Sequence, residues 1–148
     1  PEQDFLGEAY MRLNLGSRTL QQIFTPYHVC QMMAAIVMGN ITKQVEDQGY
    51  ITINDPCCGG GATLIAGVHE AKHQLEKADL NYQNHVLVVA QDIDETAALM
   101  CYIQLSLLGV AGYVKVGNSL TEPMASGDTT KNYWFTPMYF CKCLDRAT

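Results

Sequence analysis

Apolar positions recur along the chain with two different periods. From Asp4 to Ile23 they fall at Phe5, Tyr10, Leu13, Leu15 and Leu20, helical in parts, with Gly16-Ser17 placed to break or end a helix. Thr25-Pro26 reads as a helix start, with Thr as N-cap and Pro at the first helical position, where its missing N–H costs nothing. Val29, Met32, Met33, Ile36 and Val37 carry that helix to Gly39-Asn40. Tyr50 to Asn54 then forms a short run rich in β-branched residues, which predicts a strand. It leads into Asp55-Pro56 and three glycines, Gly59, Gly60 and Gly61, after which Ala62 to about Lys77 is helical. His85 to Ala90 is almost purely apolar, as in a strand buried on both faces of a parallel sheet. Thr96 to Leu108 is apolar nearly all round and ends at Gly109, and Tyr113 to Val116 reads as a third strand closed by Gly117-Asn118-Ser119.

Alternation of helix and strand predicts an α/β fold of the doubly wound, Rossmann-like type, with right-handed βαβ crossovers and three layers. The last segment, 121–148, has no clean period. It holds Trp134, the one tryptophan, with Tyr133, Phe135, Tyr139 and Phe140 around it, and reads as a flap packed on the sheet rather than a base-stacking platform. Three strands leave a sheet edge open, so either dimerisation through that edge or a tail strand laid along it is expected.

The length of 148 residues suits one domain over 1–148, with 20–120 as its recognisable core. Apolar residues make up 48 % and charged residues 16 %, enough to fold a core without disorder. The longest apolar stretches, Val86 to Ala90 and Met32 to Met38, are too short to cross a bilayer, and no basic-then-apolar leader opens the chain. The expected setting is therefore the cytoplasm, without membrane association. Six cysteines include no C-x-x-C pair, so reduced thiols are expected rather than a disulfide framework or a metal site. The net charge of −6 opposes autonomous DNA binding, which needs a basic face against phosphates. Nucleic-acid contact would then require a partner or a further domain.

The glycine loop carries the candidate chemistry. A strand that runs through Asp55-Pro56-Cys57-Cys58-Gly59-Gly60-Gly61 into a helix brings bare backbone close to a ligand, and the first amides of the helix favour a carboxylate or phosphate. No Lys-Ser or Lys-Thr follows, which excludes a P-loop. Asp92, beyond the second strand, is positioned to accept hydrogen bonds from a ribose diol.

These segments resemble the catalytic core of the N6-adenine DNA methylases, especially the modification subunits of type I restriction systems. Gln22-Ile23-Phe24-Thr25-Pro26 is similar to Q-x-F-T-P, and Asp55 to Gly61 to D-P-x-C-G-S-G. Gln91-Asp92-Ile93-Asp94 resembles G-Q-E-I-N, Gly117-Asn118-Ser119-Leu120 resembles G-D-[ST]-L, and Leu105 to Gly109 resembles the family's N-x-x-L-H-G stretch. The resemblance implies an abbreviated S-adenosyl-L-methionine-dependent methyltransferase fold with N-terminal helices. It implies that Thr25 and the loop from Asp55 to Gly61, with Pro56, Cys58 and Gly59 in it, hold the methionine half of the cofactor, and that Phe24 and Pro26 close over the cofactor. Asp92 would bind the ribose and Asn118 would face the adenine, with Ile93 and Ser119 beside them among the cofactor-binding residues. Asn118 stands where the family has aspartate, so its carbonyl would accept from the adenine amino group without charge assistance.

The resemblance runs over 20–120 and stops. No N-P-P-[YF] tetrad follows; Glu122-Pro123-Met124 and Thr136-Pro137-Met138-Tyr139 are the nearest in letters, and the catalytic residues stay unassigned. Two functions follow as expectations: a cofactor-binding DNA adenine-N6 methyltransferase-like chain incomplete for catalysis alone, or a methylase-like regulatory module without transfer activity, acting on a protein partner or as a homodimer.

Overall fold

A computed structural model describes residues 2–13 and 25–141. Five helices and a four-stranded sheet alternate through them: α1 Phe5–Arg12, α2 Tyr27–Val37, α3 Ile41–Gln48, β1 Ile51–Asp55, α4 Ala62–Lys77, β2 Val86–Asp92, α5 Glu95–Leu107, β3 Ala111–Val116 and β4 Tyr133–Phe135. Single turns of 3₁₀ helix flank β2 and β4. The sheet order is β1-β2-β3-β4; the first three strands are parallel and β4 is antiparallel to β3. This is the mixed α/β, methyltransferase-like architecture expected, in abbreviated form.

Local chemistry sets the element ends. Asp4 accepts from the Gly7 amide to start α1, Asn40 from Lys43 to start α3, and Asp94 from Ala97 to start α5. The helix α3 is absent from the sequence reading, although its signature is present: the Asn40 cap, then Ile41 and Val45 one turn apart on the buried side. At α2 the start lies one residue later than expected. Pro26 is the N-cap, at φ −57° and ψ 136°, with no side-chain cap, so the Thr25 hydroxyl does not cap this helix. Extended ψ at Pro26 keeps it outside the helix while its carbonyl accepts the first helical bond, from Val29 at 2.9 Å.

The three-layer arrangement is not what forms. Successive parallel strands are added in one direction, and right-handed crossovers then carry both connecting helices over the same face. α4 packs on β1 and β2, and α5 on β2 and β3. The buried core lies on that face: Ile51, Val86, Val88, Ala90 and Val114 meet Leu64, Val68 and Leu75 of α4 and Ala98, Cys101 and Leu105 of α5. Thr52 and Asn54, which point the other way from β1, are exposed. α2 docks on α4 through small side chains, Cys30 and Ala34 against Ala62 and Ala66. Tyr27 and His69 join these two helices, hydroxyl to Nδ1, at 2.6 Å. Burial pushes Tyr27 up to about 12 and His69 downward.

In place of a second helical layer, the opposite face carries aromatic rings. Tyr113 of β3 lies 5.7 Å from Phe135 and from Tyr139, and Phe135 lies 4.7 Å from Tyr139, centroid to centroid. The tail thus lays a strand along the β3 edge, the second of the two outcomes expected for an open edge. Thr136 pins it. Its side chain is fully buried, with the hydroxyl donating to the Val110 carbonyl at 2.8 Å and accepting from the Gly112 amide at 3.0 Å. Further along, the buried Lys115 ammonium pairs with Asp128 Oδ2 at 2.7 Å, and the Tyr133 hydroxyl donates to the same oxygen at 2.6 Å.

Thr136→Val removes that hydroxyl and leaves the Gly112 amide without its side-chain acceptor; a loss of about 1–3 kcal/mol is expected in denaturant unfolding. The second expectation concerns acid. Lys115 and Tyr133 hold Asp128 from its usual 3.8 down to about 2, so its contribution is complete above 3.8 and disappears as pH falls through about 2. The stability difference between the wild type and Asp128→Asn should shrink over that window. A difference that stays constant there would contradict the pairing.

Candidate functional site

Because β1, β2 and β3 run parallel, the loops after them meet at one edge of the sheet. Asp92, the last residue of β2, binds two of these loops. Its Oδ2 accepts from the Gly59 amide at 2.7 Å and its Oδ1 from the Asp94 amide at 2.9 Å. Its backbone carbonyl accepts from the Gly117 amide at 2.9 Å. Beside it, the Cys58 amide donates to the Gln91 carbonyl at 3.0 Å, and Cys57 Sγ lies 3.8 Å from Ser119 Oγ. Residues 33 or more apart in sequence are thus drawn into one cluster.

The glycine loop is shaped by positive φ angles, 52° at Gly59 and 97° at Gly61. At Gly61 there is a steric reason as well: a Cβ there would lie 2.8 Å from Cys101 Sγ on α5. Asp55 braces the start of the loop, accepting from the Cys57 amide at 3.0 Å and from the Thr63 hydroxyl. The first turn of α4 has no side-chain cap. A cavity of about 100 Å³ faces it, lined among others by Asp4, Thr25, Asp55, Cys57, Gly59 and Thr63.

Two buried glutamines hold this arrangement. Gln104 of α5 donates through Nε2 to the Gly60 carbonyl at 2.9 Å and to Asp4 Oδ1 at 2.7 Å, while its Oε1 accepts from the Leu6 amide at 3.1 Å. It therefore joins α1, α5 and the glycine loop. Gln91 of β2 donates to the Gly117 carbonyl at 3.2 Å and the Glu122 carbonyl at 2.9 Å, which folds the loop after β3 back on the sheet. Sequence reasoning gave neither glutamine a role. An amide side chain within the apolar run of a helix, as at Gln104 between Ile103 and Leu105, is the signal that was there to use.

The residues singled out from sequence divide as follows. Asp55, Gly59, Asp92, Asn118 and Ser119 are gathered at the strand ends, and Thr25 and Asp55 line the same cavity. Ile93 projects beside Asp92 with 59 % of its surface exposed, an apolar platform at the rim. Pro56 turns the chain out of β1, and Pro26 begins α2. Cys58 is buried: its amide serves the loop, while a hydrogen bond with the Cys101 thiol and burial push its own thiol well above the usual range. Phe24 lies outside the described residues. Asn118 Oδ1 is occupied, accepting from the Leu120 amide at 2.9 Å and the Thr121 amide at 3.4 Å.

The two candidate stand-ins for a catalytic tetrad lie at opposite ends of the sheet. Thr136 is bonded to Val110 and Gly112, at the amino end of β3, away from the cleft. Glu122-Pro123 lies at the carboxyl end, its carbonyls accepting from Gln91 and from Lys115.

Three parallel strands with a glycine loop after β1 and a carboxylate closing β2 make a mixed α/β fold of methyltransferase-like type. A family model described as N-6 DNA methylase matches residues 2–142, and the chain belongs to that family. Its function is accordingly DNA-methyltransferase-like, in the domain of DNA methylation. No curated protein and no solved structure matches the chain. Among the described residues no helix is long and apolar enough to cross a membrane.

Gly61→Ala tests the loop geometry. It forces a side chain into a left-handed position and against Cys101, so a loss of about 1–3 kcal/mol is expected by thermal or denaturant unfolding. Adding Cys101→Ala should recover part of it, since only the steric share is relieved.

Proposed function

We propose that this chain binds S-adenosyl-L-methionine in the cleft at the carboxyl ends of β1, β2 and β3. We further propose that it serves as the cofactor-binding part of a DNA adenine-N6 methyltransferase, in the manner of restriction-modification methylases. The observation that carries the reading is Asp92, whose carboxylate clamps the glycine loop and still offers half of its acceptor sites. An ionised carboxylate has about four lone-pair directions, and the Gly59 and Asp94 amides use two; the others suit a ribose diol.

The residues present fit the cofactor. Bare backbone at Gly59, Gly60 and Gly61 lets a ligand approach closely, and the uncapped first turn of α4 offers amides to an amino-acid carboxylate. The carboxylates of Asp55 and Asp4 beside the cavity suit an ammonium group. Thr25, Asp55 and the glycine loop would then hold the methionine half, with Asp92 on the ribose and Ile93 against the adenine face. When bound, the cofactor supplies an electrophilic methyl group on its sulfonium. This chain's own residues bind and orient it.

The base-handling step is assigned to residues other than those described. Neither similar segment can replace N-P-P-[YF]: Thr136 is consumed in anchoring the tail, and Glu122-Pro123-Met124 lacks an aromatic ring to stack on a flipped base. The acidic net charge points the same way, because phosphate contacts would have to come from a partner or another domain. Those two facts also favour a second reading, a cofactor-binding regulatory module that acts on a protein partner. A methylation assay on adenine-containing duplex DNA separates them: transfer that appears only when a partner is added supports the first, and cofactor binding with no transfer under any pairing supports the second.

The first test is calorimetric titration with S-adenosyl-L-methionine. Micromolar binding is expected, reduced about tenfold or more in Asp92→Ala, which removes charge-assisted acceptors. An unchanged affinity in a folded Asp92→Ala protein would overturn the assignment.

A further inference from the structure

The loop after β3 carries a carboxylate, that of Glu122, just beyond Gly117-Asn118-Ser119-Leu120. Glu122 follows Asn118 by one turn, its amide donating to the Asn118 carbonyl at 2.7 Å. Its backbone carbonyl is held by Gln91 at 2.9 Å, which fixes the residue against the strand ends. Its side chain folds back over the loop: Oε2 lies 3.1 Å from where a Cβ on Gly117 would stand. Gly117 in turn donates its amide to the Asp92 carbonyl. The Glu122 carboxylate is exposed and has no hydrogen-bond or ion-pair partner among the described residues.

Asn118 is poorly equipped for the part that its position suggests. Its one side-chain oxygen already accepts from the amides of Leu120 and Thr121, and the remaining group on that side chain is an amide nitrogen, a donor. An adenine ring presents an exocyclic amino group, also a donor. Donor facing donor is unfavourable, so a separate acceptor is required beside this loop.

We propose that Glu122 is that acceptor: its carboxylate takes the amino group of the cofactor's adenine and sets the preference for adenine over other purines. The inference rests on the cofactor reading above and adds the residue that decides the base. It also changes the expectation for Asn118, since the charge assistance missing there is restored four residues later. The Asn118 amide is left to hold the loop and to donate to a ring nitrogen.

The test compares two ligands, S-adenosylhomocysteine and its analogue with hydrogen in place of the 6-amino group, by calorimetric titration. Wild-type protein should favour the amino ligand about tenfold, the size of one charge-assisted hydrogen bond. Glu122→Ala should bind both ligands equally, and Glu122→Gln should keep only part of the preference. Because Gln91 grips the backbone of Glu122, thermal unfolding of both variants should match wild type. Asn118→Asp should restore the preference in the Glu122→Gln background, since aspartate has a second oxygen to offer, and should gain nothing in wild type.

Wild-type binding with a preference that survives in Glu122→Ala overturns this inference and leaves the cofactor reading intact. A gain from Asn118→Asp in wild type also overturns it, by placing the missing acceptor at Asn118. No binding of either ligand to wild type overturns both.

Discussion

The parallel ladder of β1, β2 and β3 is the constraint on which the rest of the molecule depends. Parallel neighbours leave every strand pointing the same way, so three loops that are far apart in sequence emerge at one edge. Each return path must then be a crossover, and α4 and α5 supply the two needed. The handedness of those crossovers puts both helices on one face and concentrates the apolar core there. What is left on the other face, and at the outer edge of β3, is the problem that the aromatic tail answers.

Within that frame the site is held by neutral polar groups more than by charge. Gln104 and Gln91 are buried amides that each satisfy two backbone carbonyls or caps with one nitrogen, and no buried side-chain polar atom among the described residues lacks a partner. An amide can do this without the desolvation cost of a buried ion. Asp55 and Asp92 sit where the loops meet solvent, each spending part of its acceptor capacity on the protein's own amides, while the buried Asp4 carboxylate accepts from the Gly7 amide and from Gln104. The arrangement is organised in advance of any ligand, which lowers the ordering cost of binding one.

The match to the N-6 DNA methylase family spans residues 2–142, and so takes in every element from α1 to β4. The loops after β1, β2 and β3 converge at one end of the sheet, while the aromatic tail is committed to packing on β3. A base-stacking role for that tail is at odds with where Thr136 anchors it.

Much of this was legible in the letters. The glycine run, the strand-end carboxylate and the helix–strand alternation each follow from short-range rules: positive φ demands glycine, parallel strands are apolar, and crossovers need helices. Those rules located β1, α4, β2, α5 and β3 to within about two residues, which is the usual blur of element ends. The short helix α3 carried its signal too, in Asn40, Ile41 and Val45. The letters could not say which face the helices would share, because that depends on the order in which strands are added. They could not show that Gln104 reaches Asp4 and Gly60, residues 100 and 44 positions away, since no local period encodes such a contact. Nor could they place Thr136 at the amino end of β3 and Glu122 beside Gly117. The sequence by itself determined the elements and the chemistry of each loop. Only the tertiary structure decided which of those groups meet, because proximity between distant residues is set by strand order and packing rather than by any residue's own preference.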